Sequence, residues 1–308
     1  MAGVLIGFAI IGSVIAVGYV VARLGILGDQ AAFVLGRAAF FVFLPALLIT
    51  VLATADLAQL FSALLPVSVI AAVACMLAFV LLARVLWSRR APELTIGALA
   101  SGYVNANNVG LPIAAYVLGE PTLVVPIILL QLVVFAPIAL TILDVTTSGR
   151  LSLVRVITQP VRNPLIVASV VGLVLALTGV DLPDPVLEPF RLLGAAAVPT
   201  VLFVFGLSLY GRRILEPGTA RRDVVLAVIL KNLVMPFVAW VVGAFGFGLS
   251  GAALFAVVVL AALPTAQNVY TYAARYRVAM PLARDAGLIT TVVAIPVLVL
   301  VAALLAPA

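Results

Sequence analysis

Asn105-Ala106-Asn107-Asn108-Val109-Gly110-Leu111-Pro112 and Pro264-Thr265-Ala266-Gln267-Asn268-Val269-Tyr270 are the stretches that decide the fold. Each sets amides and a proline inside an otherwise apolar run. Such groups are costly at membrane depth unless they line a cavity or pack against protein. The first stretch lies in the fourth apolar run of the first half, the second in the fourth apolar run of the second half. Paired interruptions of this kind are the best sequence pointer to a transporter's binding site.

Working outward, 66% of the 308 residues are apolar and 9% are charged, which leaves too little polar surface for a soluble protein of this size. The class expected is an all-α polytopic membrane protein in a lipid bilayer. A net charge of +6 would suit nucleic acid, but the basic residues fall in short loops beside apolar runs, where they report topology; no nucleic-acid partner is expected. There is no histidine, and the single cysteine, Cys75, sits inside an apolar run. The usual proton shuttle, the commonest metal ligand and a thiolate site are thereby absent, so no cofactor and no metal are expected. The nucleophile, base or metal constellation of an enzyme is missing too. A channel would need a continuous pore and a selectivity ring, whereas two breaks around one spot favour alternating access.

Ten spans are expected, at roughly 4–22, 33–52, 63–87, 95–118, 122–143, 162–180, 191–211, 223–245, 251–274 and 285–306. Met1–Ala22 lacks a basic residue ahead of its apolar core and reads as the first span, not a signal peptide. Arg23, Arg37, Arg84, Arg89, Arg90, Arg150, Arg155, Arg162, Arg212, Arg213, Arg221, Arg222, Arg275, Arg277 and Arg284 then gather on one side. Arg191 is on the other, with Asp56, Glu120, Asp181, Asp184 and Glu188. The Arg-rich side is expected to be cytoplasmic, with both termini outside the cell (inner) membrane. Residues 1–143 and 162–308 form two five-helix repeats joined by a linker over 144–161. Five is odd, so the second repeat is inverted, and broken helices 4 and 9 cross at mid-membrane. Pro45 in the second span and Pro199 in the seventh agree with duplication.

Pro112 lacks an N–H and disfavours helix in the residue before it, and Gly110 permits a turn there. Breaks are therefore expected at Gly110–Pro112 and at Pro264. Half-helices starting after each would aim N–H groups and partial positive charge at one spot, an anion site without a fixed cationic side chain. Asn105, Asn107, Asn108, Gln267 and Asn268 supply amides to a carboxylate, and Thr265 and Tyr270 supply hydroxyls. Lys231, beside Asn232, lies well inside the eighth span. It reads as a countercharge for substrate or a pin on an unwound carbonyl, against a lysine snorkelling to the interface. Gln131 reads as helix packing, and Pro45, Pro126, Pro137, Pro199, Pro236 and Pro296 as kinks. Gly3, Gly7 and Gly12 with Ser13 suggest a close helix contact or a homodimer. No Asp or Glu lies within a span interior, which disfavours an acidic coupling site. Proton linkage and sodium held by neutral oxygens both stay open.

At Asn105 through Gly110-Leu111-Pro112-Ile113, at Leu263 through Tyr270, and at Asn163-Pro164, the chain resembles the auxin efflux carrier family, also called the membrane transport protein family, in its compact bacterial form. The resemblance implies two inverted five-helix repeats with crossing broken helices. It also implies a scaffold of spans one, two, six and seven, often dimeric, and a transport domain moving as an elevator. It maps crossover asparagine and proline positions onto Asn105, Pro112, Pro264 and Asn268. It further implies an organic anion as substrate, an auxin-like acid in plant members and malate- or malonate-like carboxylates in bacterial ones. The function expected is a secondary transporter, an exporter of an organic anion; the alternative is a sodium-coupled importer of an amphipathic anion, as in the bile-acid symporters that share the fold.

Overall fold

The computed structural model describes residues 2–28, 30–54, 63–148, 163–180, 182–211 and 220–307. Residues 149–161 of the expected linker, and Asp56, Arg150, Arg155, Arg162, Asp181, Arg212 and Arg213, lie outside them. Among the described residues the regular secondary structure is all helical apart from a single β-bridge. In order the helices are α1 (Ala2–Arg23), α2 (Ala31–Ala53), α3 (Leu64–Trp87), α4 (Ala91–Gly102), α5 (Leu111–Tyr116) and α6 (Pro121–Thr147). They continue with α7 (Pro164–Thr178), α8 (Asp184–Leu209), α9 (Arg221–Gly246), α10 (Gly251–Ala261), α11 (Gln267–Tyr276) and α12 (Met280–Leu305). Six of them (α2, α3, α6, α8, α9 and α12) are long and apolar enough to cross a membrane. Their outward faces are apolar as well: Leu81, Val85, Ile295 and Leu304 all stand exposed, as befits a surface bathed in hydrocarbon.

Several helices begin earlier than their apolar runs. α8 starts at Asp184, so Arg191 sits inside a helix and pairs with Asp184 at 3.0 Å and Glu188 at 3.4 Å on an exposed face. Polar first turns satisfy their own backbone and extend a helix beyond its hydrophobic stretch. Four acids lie within helices close to their Arg-rich ends, each with a partner; Glu93 accepts from Arg90 N at 3.2 Å. Asp223 pairs with Arg89 at 2.7 Å, Asp285 pairs with Arg284 at 2.7 Å, and Asp144 accepts a hydrogen bond from the Tyr276 hydroxyl at 2.8 Å.

Proline shapes these helices in a repeated way. Residues Ala39–Phe43, Ala106–Gly110, Gln131–Phe135 and Leu230–Val234 form π-turns, and each is followed two residues later by a proline: Pro45, Pro112, Pro137 and Pro236. In every case the residue just before proline donates its N–H five positions back: Leu44 to Ala39, Leu111 to Ala106, Ala136 to Gln131 and Met235 to Leu230. A proline ring clashes with the carbonyl four residues earlier and offers that carbonyl no donor. Widening the preceding turn by one residue relieves the clash without breaking the helix. These prolines therefore mark π-turns, not simple kinks.

Packing divides the helices. α1 lies along the second half of α8, while the second half of α2 packs on α7 and on the first half of α8. α3, α4, α9, α10 and α12 pack among themselves, with α11 on α12. Small residues let backbones touch within the first group. A Cβ on Gly206 would meet the Ile15 carbonyl and the Gly18 backbone of α1, and one on Gly172 would meet Leu52 and the Ile49 carbonyl. Gly7 abuts the Tyr116 carbonyl of the same chain, whereas a Cβ on Gly12 would point into open space. Gly206→Val should accordingly overpack the α1–α8 contact and cost roughly 1–3 kcal/mol, with Gly12→Ala neutral. Thermal unfolding of the two variants in detergent checks this.

Candidate functional site

α4 ends where Gly102 brings its backbone against the Ala72 carbonyl and Met76 of α3, an approach that a Cβ would block. Tyr103 is extended (φ −88°, ψ 107°), and Asn105 restarts the helix as an N-cap, its side-chain oxygen accepting from Asn108 N at 3.3 Å. The break is thus Tyr103–Asn105, upstream of the expected Gly110–Pro112. Pro112 stays within the helical run because the π-turn before it absorbs the missing N–H. Gly110 serves packing: a Cβ there would meet Leu263 and Val124 at 2.9 Å. In the second half α10 ends at Ala261 and the helix resumes at Gln267 after an extended Ala266 (φ −69°, ψ 145°), so Pro264 does mark a break.

The two breaks pair with each other. Val104 faces Thr265 in an antiparallel bridge; Asn105 N donates to Pro264 O at 2.8 Å, and Ala266 N donates to Tyr103 O at 3.0 Å. Backbone groups freed by interrupting one helix are satisfied by those freed in the other, as burial demands. Thr265 locks the crossing. Its hydroxyl donates to Ala100 O at 2.6 Å, and its N–H donates to the Thr290 hydroxyl of α12 at 3.1 Å. Asn232 of α9 donates to Thr290 O at 3.0 Å, extending the chain of bonds over four helices. Lys231, wholly buried, donates to Ala261 O at 2.8 Å and to the Met235 sulfur at 3.1 Å.

A cavity of about 450 Å³ opens against this crossing, within the size range of small-molecule sites. Asn105, Asn107, Asn108, Gln267 and Asn268 line it, as do Tyr103 and Thr271. Thr265 and Tyr270 line a smaller cavity of about 140 Å³, which shares Asn105, Phe205 and Gln267 with the first and adds Arg284. Pro112, Pro264, Gly110, Lys231 and Asn232 line neither cavity and act from behind the wall. The Thr265 hydroxyl is already committed to a carbonyl.

Two wall residues were missed in the sequence. Arg37, assigned there to topology, sits one and a half turns into α2 on the cavity wall, its guanidinium 5.7 Å from the Phe33 ring centre and 5.2 Å from that of Phe41. The i, i+4, i+8 spacing of Phe33, Arg37 and Phe41 was the available signal. Gln131, assigned to packing, also lines the cavity, and its buried side-chain oxygen has no hydrogen-bond partner. Among the described lining residues Arg37 is the charged one and none is acidic. The expected anion site without a fixed cation thus has a cation on its wall.

A family described as Membrane transport protein, the auxin efflux carrier family, matches residues 4–302. The chain belongs to that family. No curated protein matches it. The family is one of membrane transporters and not of enzymes, which implies a small substrate and a lipid bilayer. The hydrogen bonds separate two kinds of residue here. Thr265→Val should cost roughly 1–3 kcal/mol of stability, the worth of an unpaired buried group, and so lower the melting temperature while leaving ligand affinity in the folded fraction unchanged. Asn268→Ala should do the reverse, abolishing ligand stabilisation with little change in the melting temperature of the free protein. Melting curves with and without ligand separate the two.

Proposed function

We propose that this chain is a secondary transporter that exports an organic anion, such as a carboxylate or an auxin-like acid, by alternating access with the anion held against the crossing of its two broken helices. The observation that carries the reading is the cavity, walled by five amide side chains of the two crossover stretches and by one cation, Arg37, with no acid among its described lining residues. An anion there gains a charge-assisted bond from the guanidinium and hydrogen bonds from the amides. The rings of Phe40, Phe41 and Phe205 on the same wall suit an apolar or aromatic body on the substrate.

The architecture we propose is ten transmembrane helices in two inverted repeats of five, counting α4 with α5, and α10 with α11, as single interrupted spans. The antiparallel pairing of the breaks supports it. α1, α2, α7 and α8 pack chiefly on one another and meet the other helices mainly along the first crossover stretch and α5, which supports a scaffold beside a moving body, the arrangement of an elevator. Positive-inside orientation in an inner membrane would put both termini outside. The cavity takes its walls from the first half of α2 and the second half of α8, the ends nearest the Arg-rich connections, so we read this as a cytoplasm-facing form. An inside-negative potential then drives an anion outward by about 2.3 kcal/mol per charge per 100 mV, and export needs no second ion.

The test is thermal stabilisation of the purified carrier by carboxylates and indole acids in sodium and in potassium salts, followed by counterflow in proteoliposomes. A stabilising anion should raise stability by about 2.7 kcal/mol at a hundredfold excess over Kd, equally in both salts. Arg37→Ala should weaken that anion by roughly 10- to 100-fold, the worth of a hydrogen bond to a charged group. Stabilisation that needs sodium would instead select the sodium-coupled importer, and undiminished binding by the Arg37→Ala protein would remove the anion assignment.

A further inference from the structure

We propose that Lys231 is a built-in cation that occupies, at the end of α10, the place where a carrier of this design would otherwise need a bound alkali ion. The proposal deepens the carrier reading above and rests on it, by assigning the carrier no cation requirement at its crossing. A helix that stops at mid-membrane ends in carbonyls with no helical donor and a partial negative charge. In transporters with interrupted helices such ends serve as cation ligands. α10 ends at Ala261; Ala262 N returns to Val258 O and Val259 O, and Pro264 has no N–H to give. The Ala261 carbonyl is taken by Lys231 Nζ at 2.8 Å.

The surroundings of Lys231 fit this role and not that of an ion-pair partner. Its side chain is fully buried, and it forms no salt bridge with any described carboxylate. A buried ammonium needs compensation, and here the helix end and the Met235 sulfur provide it. The π-turn Leu230–Val234 before Pro236 turns Lys231 toward Ala261 and Asn232 toward Thr290. One turn of α9 therefore holds both flanks of the second break.

Neutral oxygens stand ready around the same point. A void of about 10 Å³, near the least that holds one water, is lined by Ser68, Gln131, Met235, Leu260 and Ala261 among others. Ser68 Oγ and Gln131 Oε1 on that void are buried without hydrogen-bond partners. Met235 and Ala261, which the ammonium touches, line this void, so shortening the lysine would open space close to neutral oxygens of the kind that hard cations prefer. The design thus trades an exchangeable ion for a tethered one.

The experiment is thermal unfolding of wild type, Lys231→Ala, Lys231→Met and Lys231→Arg, without any anion substrate, in sodium, lithium or potassium chloride against choline chloride at equal ionic strength. Wild type and Lys231→Arg should melt alike in all four salts. Lys231→Ala should melt well below wild type in choline and regain most of the loss, saturably, in at least one alkali salt. Lys231→Met, which fills the space without charge, should stay low in every salt. A saturable alkali-ion shift in wild type overturns the proposal, as does a Lys231→Ala protein that no alkali ion restores. Should Lys231→Ala fail to fold in any salt, Lys231→Met decides: wild-type stability overturns the proposal, and a loss that Lys231→Arg does not share supports it. Because no substrate is present, failure of the anion site at Arg37 would appear separately.

Discussion

The constraint on which the structure turns is the fate of backbone groups where two helices stop inside an apolar protein. Each break strands N–H and C=O groups that hydrocarbon cannot solvate, at a cost of several kcal/mol apiece. Here the two breaks cancel one another. Asn105 N meets Pro264 O and Ala266 N meets Tyr103 O, so neither interruption is tolerable without the other. This reciprocity explains why both halves carry one, and why Thr265, Thr290 and Asn232 are spent on holding the crossing together. The cavity is a consequence: with the backbones of the breaks mutually satisfied, the restarted helices set the side chains of Asn107, Asn108, Gln267 and Asn268 on its wall.

Proline has a second role that follows from the same accounting. Four π-turns stand in the same register before a proline, and each carries residues that matter to the crossing. Phe40 and Phe41, Asn107 and Asn108, and Gln131 line the cavity, while Lys231 and Asn232 reach the second break from behind. A π-turn rotates its side chains away from the α-helical repeat, so residues that a regular helix would spread around its surface converge instead. In this chain the prolines aim the wall.

Much of the fold was legible in sequence because it is written in long apolar runs; the expected spans and the helices coincide to within a few residues at most ends. The second break was legible because Pro264 stops a helix outright. The first was misplaced because proline was read as a helix breaker at Pro112, when a widened turn can absorb it; the actual signal was Asn105, a residue that caps a helix start. Arg37 was missed for a different reason. Counting arginines by side assigns every basic residue near a span end to topology, and a guanidinium one and a half turns into α2 satisfies that count while facing the cavity. Gln131 escaped because a lone amide in an apolar helix carries no periodic signal; only its partnerless oxygen on the cavity wall gives it meaning.

The charges sort into two environments, and on the proposed reading this sorting is what would make the site selective for sign. Asp144, Asp223 and Asp285 are held near the Arg-rich helix ends by Tyr276, Arg89 and Arg284, away from the lining of the larger cavity. Lys231 is sealed against the end of α10, and Arg37 remains on the cavity wall, steadied by two phenylalanine rings. In a medium of low dielectric each uncompensated charge acts over many ångströms. With Lys231 compensated by the helix end, the charge left on the lining of the larger cavity is Arg37, and no described carboxylate lines it. A cation would meet repulsion there with no carboxylate to offset it, which is why the proposed substrate is an anion, and the phenylalanine rings on the same wall are why an apolar body is proposed for it.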